Sequence, residues 1–323
     1  MGLALDLLRL VLGGVLLYFG AEWLVKGAAS LAAAFRVKPL VIGMTVVAYG
    51  TSAPELTVSV AASLEGKGQI ALANVIGSNI ANLGLILGLT ALISPPKVES
   101  GLIRREIPVL VLSALLPVGL LYDGTIDRID AFALVAGAIA FTFWMLRAAK
   151  GPSTQTASSA AADAEKAGAP GGKGKLWMAV VAATGLLLLI GGGKVFVDGA
   201  VGVATHVGMS ERVVGLTIVA IGTSLPELAA SLVAVLRKQS GIAVGNVVGS
   251  NIFNVLLILG SAGLVRPIEA SLRALRLDMG MLVGMTLLGA TAIRVERDIS
   301  RIEGALLIIG YVAFLIALAA GVS

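Results

Sequence analysis

The chain has 323 residues, of which 57% are hydrophobic and 13% charged, and its formal net charge is +5. Because soluble domains carry about 25% charged residues, this composition indicates an integral membrane protein. The sequence has no cysteine, which excludes disulfides and thiolate metal sites, and no basic run with interleaved aromatics, so no nucleic-acid partner is indicated.

Ten apolar stretches, most of them near the roughly 20 residues that cross a bilayer as a helix, follow one another along the chain. The predicted spans are Leu3–Val25, Pro39–Leu64, Gln69–Leu92, Glu106–Tyr122, Ile129–Leu146, Leu176–Val203, Val213–Leu236, Ile242–Leu264, Leu277–Ile293 and Ile302–Ala320. The alternation that a membrane β-barrel requires is missing. The predicted fold class is therefore an all-α polytopic membrane protein, with the first stretch retained as a span and not cleaved as a signal peptide.

Two segments are near copies of each other at an offset of 172 residues. The segments GMTVVAYGTSAPE (43–55) and GLTIVAIGTSLPE (215–227) are identical at nine of thirteen positions, and residues 71–88 are repeated at 243–260. Five spans, an odd number, separate equivalent points, so the copies enter the membrane from opposite faces. This is the inverted-topology repeat of secondary transporters, whose sites lie near the bilayer midplane. The sequence predicts ten transmembrane helices in a 5+5 inverted repeat, with the first five-helix domain at 1–149 and the second at 176–323.

The segment between the two halves, 150–175, is rich in Ala, Ser, Thr, Gly and Pro and is predicted to be a flexible linker. Fifteen Lys and Arg residues fall in loops after odd-numbered spans, against seven in the loops on the other side. Positive residues accumulate in cytoplasmic loops, so we expect a cytoplasmic linker and both termini outside. The expected location is the cell (inner) membrane.

Each copy of the first segment places a proline and a glutamate inside an apolar span. Pro54 and Pro226 each remove one backbone donor and clash with the carbonyl four residues earlier, which predicts a local unwinding of the helix. Glu55 and Glu227 are costly at membrane depth, and such residues are usually functional. Carboxylate, hydroxyl and carbonyl oxygens within about one turn suit hard cations, so the motifs predict a cation site.

The second repeated segment adds polar side chains at helical spacing. Ser78 and Asn82 are four residues apart, as are Ser250 and Asn254, and Asn74 and Asn246 come four residues before the two serines. This spacing places each row on one helix face. Small residues allow membrane helices to approach closely, which we expect at Gly77, Gly249 and Gly84.

The motifs GTSAPE and GSNIAN, with their copies GTSLPE and GSNIFN, resemble the two alpha-repeats of the cation/calcium antiporter superfamily. Within it, the whole chain is most similar to prokaryotic sodium/calcium exchangers. The resemblance implies a secondary active antiporter that exchanges Na⁺ for Ca²⁺ by alternating access, not an enzyme. It implies no cofactor and no obligate protein partner. The substrates would be Na⁺ and Ca²⁺, and the protein would be embedded in the lipid bilayer.

The resemblance also implies roles for individual residues. Glu55 and Glu227 would bind Ca²⁺, with the backbone oxygens of Thr51 and Thr223 beside them. Sodium sites would be built from the hydroxyl of Thr223 and from Ser52, Ser78, Ser224, Ser250 and the carbonyls of Ala48 and Ala220. Asn82 and Asn254 would line the middle of the site. Some relatives carry aspartate at position 254, so asparagine lowers the site charge from −3 to −2 and argues against potassium dependence.

Several alternatives remain open. Proton/calcium exchangers of the same superfamily usually carry Gly-Asn-x-x-Glu where this chain has Gly-Thr-Ser-x-Pro-Glu, and another cation could be the main substrate. An intramembrane protease would pair Tyr-Asp with Gly-x-Gly-Asp, and the second motif does not occur in this sequence. A channel would show single-channel currents instead of counter-ion dependence.

Overall fold

A computed structural model of the protein describes residues 2–98, 103–148, 174–209, 220–293 and 298–320. Nearly all of the predicted linker and the first part of the seventh predicted span lie outside these described residues. The described residues form twelve helices, named here in chain order: α1 (Leu3–Phe35), α2 (Pro39–Thr51), α3 (Ala53–Leu64), α4 (Gly68–Ile93), α5 (Ile103–Leu120), α6 (Arg128–Ala148), α7 (Gly174–His206), α8 (Ala220–Gly222), α9 (Leu225–Leu236), α10 (Ser240–Val265), α11 (Arg276–Ala292) and α12 (Arg301–Ala319).

Within the described ranges, seven helices are long and apolar enough to cross a bilayer: α1, α4, α5, α6, α7, α10 and α12. Helices α2 and α9 are shorter apolar helices, and α11 has 17 residues. In the described ranges the strand content is two short strands, β1 (Thr125–Ile126) and β2 (Ile268–Glu269), which pair antiparallel. The predicted all-helical, polytopic membrane class is confirmed.

The second predicted span is broken where the proline motif was expected to unwind it. Ser52 has φ −82° and ψ 8°, and α3 begins at the next residue with Pro54 in its first turn. In the second copy Ser224 has φ −88° and ψ 6°, and Pro226 occupies the first turn of α9. Proline is tolerated in a first turn because the missing N–H has no helical acceptor there. The predicted interruption is therefore confirmed in both copies.

In the described part of the chain, three helices contain a wider π-helical turn that the sequence did not predict. These turns are Gly43–Val47 in α2, Asn82–Leu87 in α4 and Asn254–Leu259 in α10. The second and third lie at the repeat offset, and each begins at an asparagine of the repeated motif. Single π turns inside α-helices occur often at functional sites.

The chain forms two compact units. The first comprises Met1–Thr51 and Met145–Asn246, and the second comprises Ser52–Trp144 and Val247–Ser323. Each unit therefore contains segments of both sequence repeats.

In the first unit, α1 packs along α7 through six glycines, which we call the glycine seam: Gly13, Gly20 and Gly27 on α1, with Gly185, Gly192 and Gly199 on α7. The three on each helix are seven residues apart, and the two sets differ by the repeat offset. A Cβ at Gly20 would lie 2.7 Å from the backbone nitrogen of Leu189, and one at Gly192 would lie 2.9 Å from that of Leu17. The two helices therefore meet backbone to backbone, as small residues allow in membranes.

In the second unit, α4 packs against α3 and α12. A Cβ at Gly84 would lie 2.7 Å from the Cβ of Tyr311, so the close approach predicted at Gly84 is confirmed. The same prediction for Gly77 is wrong, because a Cβ there would meet nothing within 4 Å. Glycine content alone does not indicate which side of a helix faces a neighbour.

Candidate functional site

The two repeated glutamates each lie in the first turn of a helix that begins after a break. Glu55 in α3 and Glu227 in α9 are each only 1% exposed. The amino end of a helix carries a partial positive charge, which favours a carboxylate at this position. The local fold thus holds both carboxylates inside the protein and in the same helical position.

The second unit brings residues of the two copies into direct contact. Ser52 follows α2 in the first copy, and its Oγ donates to the Oγ of Ser250 in α10, at 3.1 Å. Both serines are buried. The structure thus brings together one hydroxyl from each copy of the motifs.

Two asparagines, which the sequence predicted only to share a helix face with the motif serines, hold the glutamate-bearing helices. Asn74 Nδ2 lies 3.3 Å from the backbone oxygen of Glu55 and 2.9 Å from Ser59 Oγ. In the second copy, Asn246 Nδ2 lies 3.3 Å from the backbone oxygen of Glu227 and 3.0 Å from Ser231 Oγ. The sequence signal was present, since both asparagines and both serines obey the 172-residue offset.

The two motif threonines differ in their surroundings. Thr51 Oγ1 is 3.1 Å from Val47 O and 3.1 Å from Asn246 Oδ1, and Thr51 is fully buried. Thr223 is half-buried, and its hydroxyl has no hydrogen-bond partner among the residues that the structure describes. The same threonine of the two motif copies thus has different surroundings in the structure.

Side-chain amides form a buried network in the second unit. Asn254 Nδ2 donates to Asn79 Oδ1 at 2.9 Å, and Asn79 Nδ2 donates to the backbone oxygen of Asn251 at 3.1 Å. The side-chain oxygens of Asn82, Asn251 and Asn254 are buried and accept no hydrogen bond within the described ranges. Each such oxygen costs about 1–3 kcal/mol if nothing compensates it. Asn79 and Asn251 were missed because the four-residue spacing selected the row of Asn74, Ser78 and Asn82.

The remaining predicted site residues are placed as follows. Ser78 in α4, Ser224 at the break and Ala48 in α2 are buried. Ala220 is the first residue of α8 and begins a described range.

The donor set is made almost entirely of oxygen. In the described part of the chain, no three His, Cys, Asp or Glu side chains form a group that could hold a metal ion. A cation here would rely on amide, hydroxyl and carbonyl oxygens beside a carboxylate. Such ligands suit hard cations and not soft transition metals.

The family profile described as sodium/calcium exchanger protein matches residues 5–147 and 177–320. The chain belongs to the sodium/calcium exchanger protein family. It is accordingly an ion-transporting antiporter of the membrane and not an enzyme, and the resemblance seen in the motifs is confirmed.

Proteins of similar length resemble the chain over most or nearly all of its residues. The sodium/calcium exchanger MaX1 of Methanosarcina acetivorans is 32% identical, with 98% of this chain and 99% of the relative covered. The inner membrane protein YrbG of Escherichia coli is 36% identical, with 87% of this chain and 86% of the relative covered. A structure of the sodium-calcium exchanger NCX_Mj soaked with zero Na⁺ and Ca²⁺ matches with a TM-score of 0.83 and 34% identity, over 99% of each chain.

Proposed function

We propose that the chain exchanges Na⁺ for Ca²⁺ across the membrane by alternating access. Its ten transmembrane helices form a 5+5 inverted repeat of domains 1–149 and 176–323, joined by the cytoplasmic linker 150–175. The protein resides in the cell (inner) membrane with both termini outside. Family membership and the names of the full-length relatives support the ion pair, and the 172-residue duplication supports the inverted repeat.

One observation carries the proposal. The duplicated motifs supply two buried glutamates, and the buried amide oxygens of Asn82 and Asn254 accept no hydrogen bond in the described residues. Native proteins rarely leave such oxygens uncompensated. A desolvated Na⁺ or Ca²⁺ would bind these oxygens and so satisfy them. Ca²⁺ in particular takes six to eight oxygen ligands.

The ligands of the exchanged cations are proposed from the duplicated motifs. Glu55 and Glu227 bind Ca²⁺ together with the backbone oxygens of Thr51 and Thr223, and Asn82 and Asn254 line the middle. The sodium ligands are Ser52, Ser78, Ser224, Ser250, the carbonyls of Ala48 and Ala220, and the Thr223 hydroxyl. The oxygen-only chemistry of these groups supports the assignment.

Charge balance explains how loading permits the conformational switch. Two ionised glutamates contribute a charge of −2, which one Ca²⁺ neutralises. Burying two uncompensated carboxylates is strongly unfavourable, so the protein without bound ions should rarely switch between its two conformations. Ca²⁺ and Na⁺ compete for the same oxygens, and that competition couples their fluxes.

The unequal surroundings of the two copies support alternating access. Thr51 and Asn246 are fully buried, whereas their repeat-related counterparts Thr223 and Asn74 are half-buried. In an inverted repeat, the opposite state exchanges the surroundings of the two copies. The half-buried pair then becomes the buried one.

The ion coupling is tested with purified protein in liposomes loaded with Na⁺. An outward sodium gradient is expected to drive uptake of external ⁴⁵Ca²⁺, and replacement of internal Na⁺ by choline is expected to reduce uptake to the level of protein-free liposomes. A pH gradient imposed without sodium is the second arm. Uptake driven by the pH gradient and indifferent to sodium would replace sodium coupling by proton coupling, and single-channel currents would identify a channel.

Replacement of Asn254 tests the proposed neutral middle of the site. In Asn254→Asp, Asn79 Oδ1 loses its donor and a carboxylate is added among buried oxygens, which costs several kcal/mol without a counter-ion. We expect a lower melting temperature than the wild type in sodium- and calcium-free detergent, and a larger increase on adding Ca²⁺. Choline chloride at equal ionic strength is the control. An unchanged melting temperature without cations would contradict the placement of Asn254.

A further inference from the structure

Asn74 and Asn246 make the same pair of contacts in the two repeats. Each amide nitrogen lies near a glutamate backbone oxygen and near the serine hydroxyl four residues later, and the equivalent distances agree within 0.1 Å. The two contacts of each amide span one helical turn of the helix that carries the glutamate. Each asparagine is therefore attached to a defined turn and not to a single atom.

Each asparagine also belongs to the helix that carries the other proposed ligands of its copy. Asn74 lies one turn before Ser78 and two turns before Asn82 in α4, and Asn246 lies one turn before Ser250 in α10. The amide thus joins the helix of the carboxylate to the helix of the hydroxyl and the amide oxygens. It fixes the position of one helix along the other.

We infer that Asn74 and Asn246, with Ser59 and Ser231 as their hydroxyl partners, are positioning residues that set the spacing between carboxylate and hydroxyl ligands for the cation. The inference rests on the proposed function. Ca²⁺ takes oxygen ligands at roughly 2.3–2.6 Å from several side chains at once, so helix register decides how many of them reach it. Groups that orient metal ligands without touching the metal typically change affinity by about 10–100-fold when removed.

The two amides differ in how firmly they are held. Asn246 is fully buried, and its Oδ1 also receives the Thr51 hydroxyl at 3.1 Å, so both ends of this amide are engaged. Asn74 is half-buried, and the repeat-related hydroxyl of Thr223 is without a hydrogen bond in the described ranges. The second copy is therefore expected to respond more strongly to loss of the amide.

The test replaces each amide with an apolar group of similar size. Asn246→Leu and Asn74→Leu are reconstituted in sodium-loaded liposomes, and the Ca²⁺ concentration for half-maximal uptake is measured together with the melting temperature in calcium-free detergent. We expect that concentration to rise about 10–100-fold, more for Asn246→Leu than for Asn74→Leu. Ser231→Ala, which keeps the contact to the Glu227 backbone, should show a smaller increase.

Thr286→Val is the matched control. Thr286 is buried, and its hydroxyl donates within its own helix, to Leu282 O at 2.7 Å. The half-maximal Ca²⁺ concentration of this variant should therefore match that of the wild type. A fall in melting temperature with an unchanged half-maximal Ca²⁺ concentration in Asn246→Leu would overturn the positioning role, because a structural role moves only stability. Wild-type protein without saturable sodium-driven Ca²⁺ uptake would instead reject the proposed function itself.

If Asn246→Leu does not fold, Ser231→Ala and Ser59→Ala decide the matter. Each keeps the asparagine and removes one of the two contacts made by its amide nitrogen. A raised half-maximal Ca²⁺ concentration in both supports the inference, and wild-type values in both overturn it.

Discussion

Glu55→Gln and Glu227→Gln are each expected to reduce sodium-driven Ca²⁺ uptake by at least about 100-fold, beyond the 10–100-fold typical of groups that only orient ligands. The amide keeps the shape of the side chain and removes its charge, so the proposed site no longer neutralises the charge of Ca²⁺. Both residues are 1% exposed in first helical turns, where glutamine fits without a change in backbone. Uptake of ⁴⁵Ca²⁺ into sodium-loaded liposomes measures the loss, and size-exclusion chromatography in detergent verifies the fold.

Glu65→Gln is the control for the loss of a carboxylate. Glu65 follows α3 and is exposed, and the Lys67 ammonium 2.7 Å away holds the pKa of its carboxyl below its usual range, so Glu65 is ionised at neutral pH. This variant should transport like the wild type. Retained exchange in Glu55→Gln or Glu227→Gln would contradict the central assignment, while loss in all three would point to a nonspecific effect of charge.

Gly192→Ala is expected to destabilise the first unit by about 1–3 kcal/mol, the usual range for overpacking. The added methyl would lie 2.7 Å from Leu16 Cβ and 2.9 Å from the Leu17 backbone nitrogen, so α1 and α7 would have to separate. Thermal unfolding in detergent measures the effect, and exchange in liposomes is expected to fall with it.

Gly191→Ala supplies a control one residue away on the same helix. A Cβ at Gly191 would meet nothing within 4 Å, so this variant should be neutral or gain up to about 1 kcal/mol from better helix propensity. Equal melting temperatures for the two variants would show that the glycine seam is not a tight contact.

The features that could be predicted from the sequence are those that depend on neighbouring residues or on the internal duplication. The breaks at Ser52 and Ser224 follow from the proline two residues later, and the burial of the glutamates follows from their place in apolar spans. The contact of Ser52 with Ser250 joins two residues that the resemblance named separately as sodium ligands, and the structure shows that they are neighbours.

Other features depended on information that a linear pattern does not contain. The π turns at Asn82 and Asn254 replace one hydrogen-bonding pattern by another without a change in hydrophobicity, so periodicity does not reveal them. Asn79 and Asn251 fall outside the four-residue rows that guided the prediction of site residues. The glycine seam was visible in principle, since its seven-residue spacing and the repeat offset are both properties of the sequence.

The π turns separate two orientations within one helix. A π turn accommodates one residue more than a regular turn, and one residue corresponds to about 100° of helix rotation. Directly after these turns, a Cβ at Gly88 would lie 2.9 Å from Gly304 O in α12, and one at Gly260 would lie 3.0 Å from Ala131 O in α6. Deleting one residue from either turn would leave a continuous α-helix that could aim its asparagine inward or seat its glycine on the neighbouring helix, but not both. The extra residue lets the asparagine and the packing glycine of one helix take up orientations that a regular α-helix would not allow together.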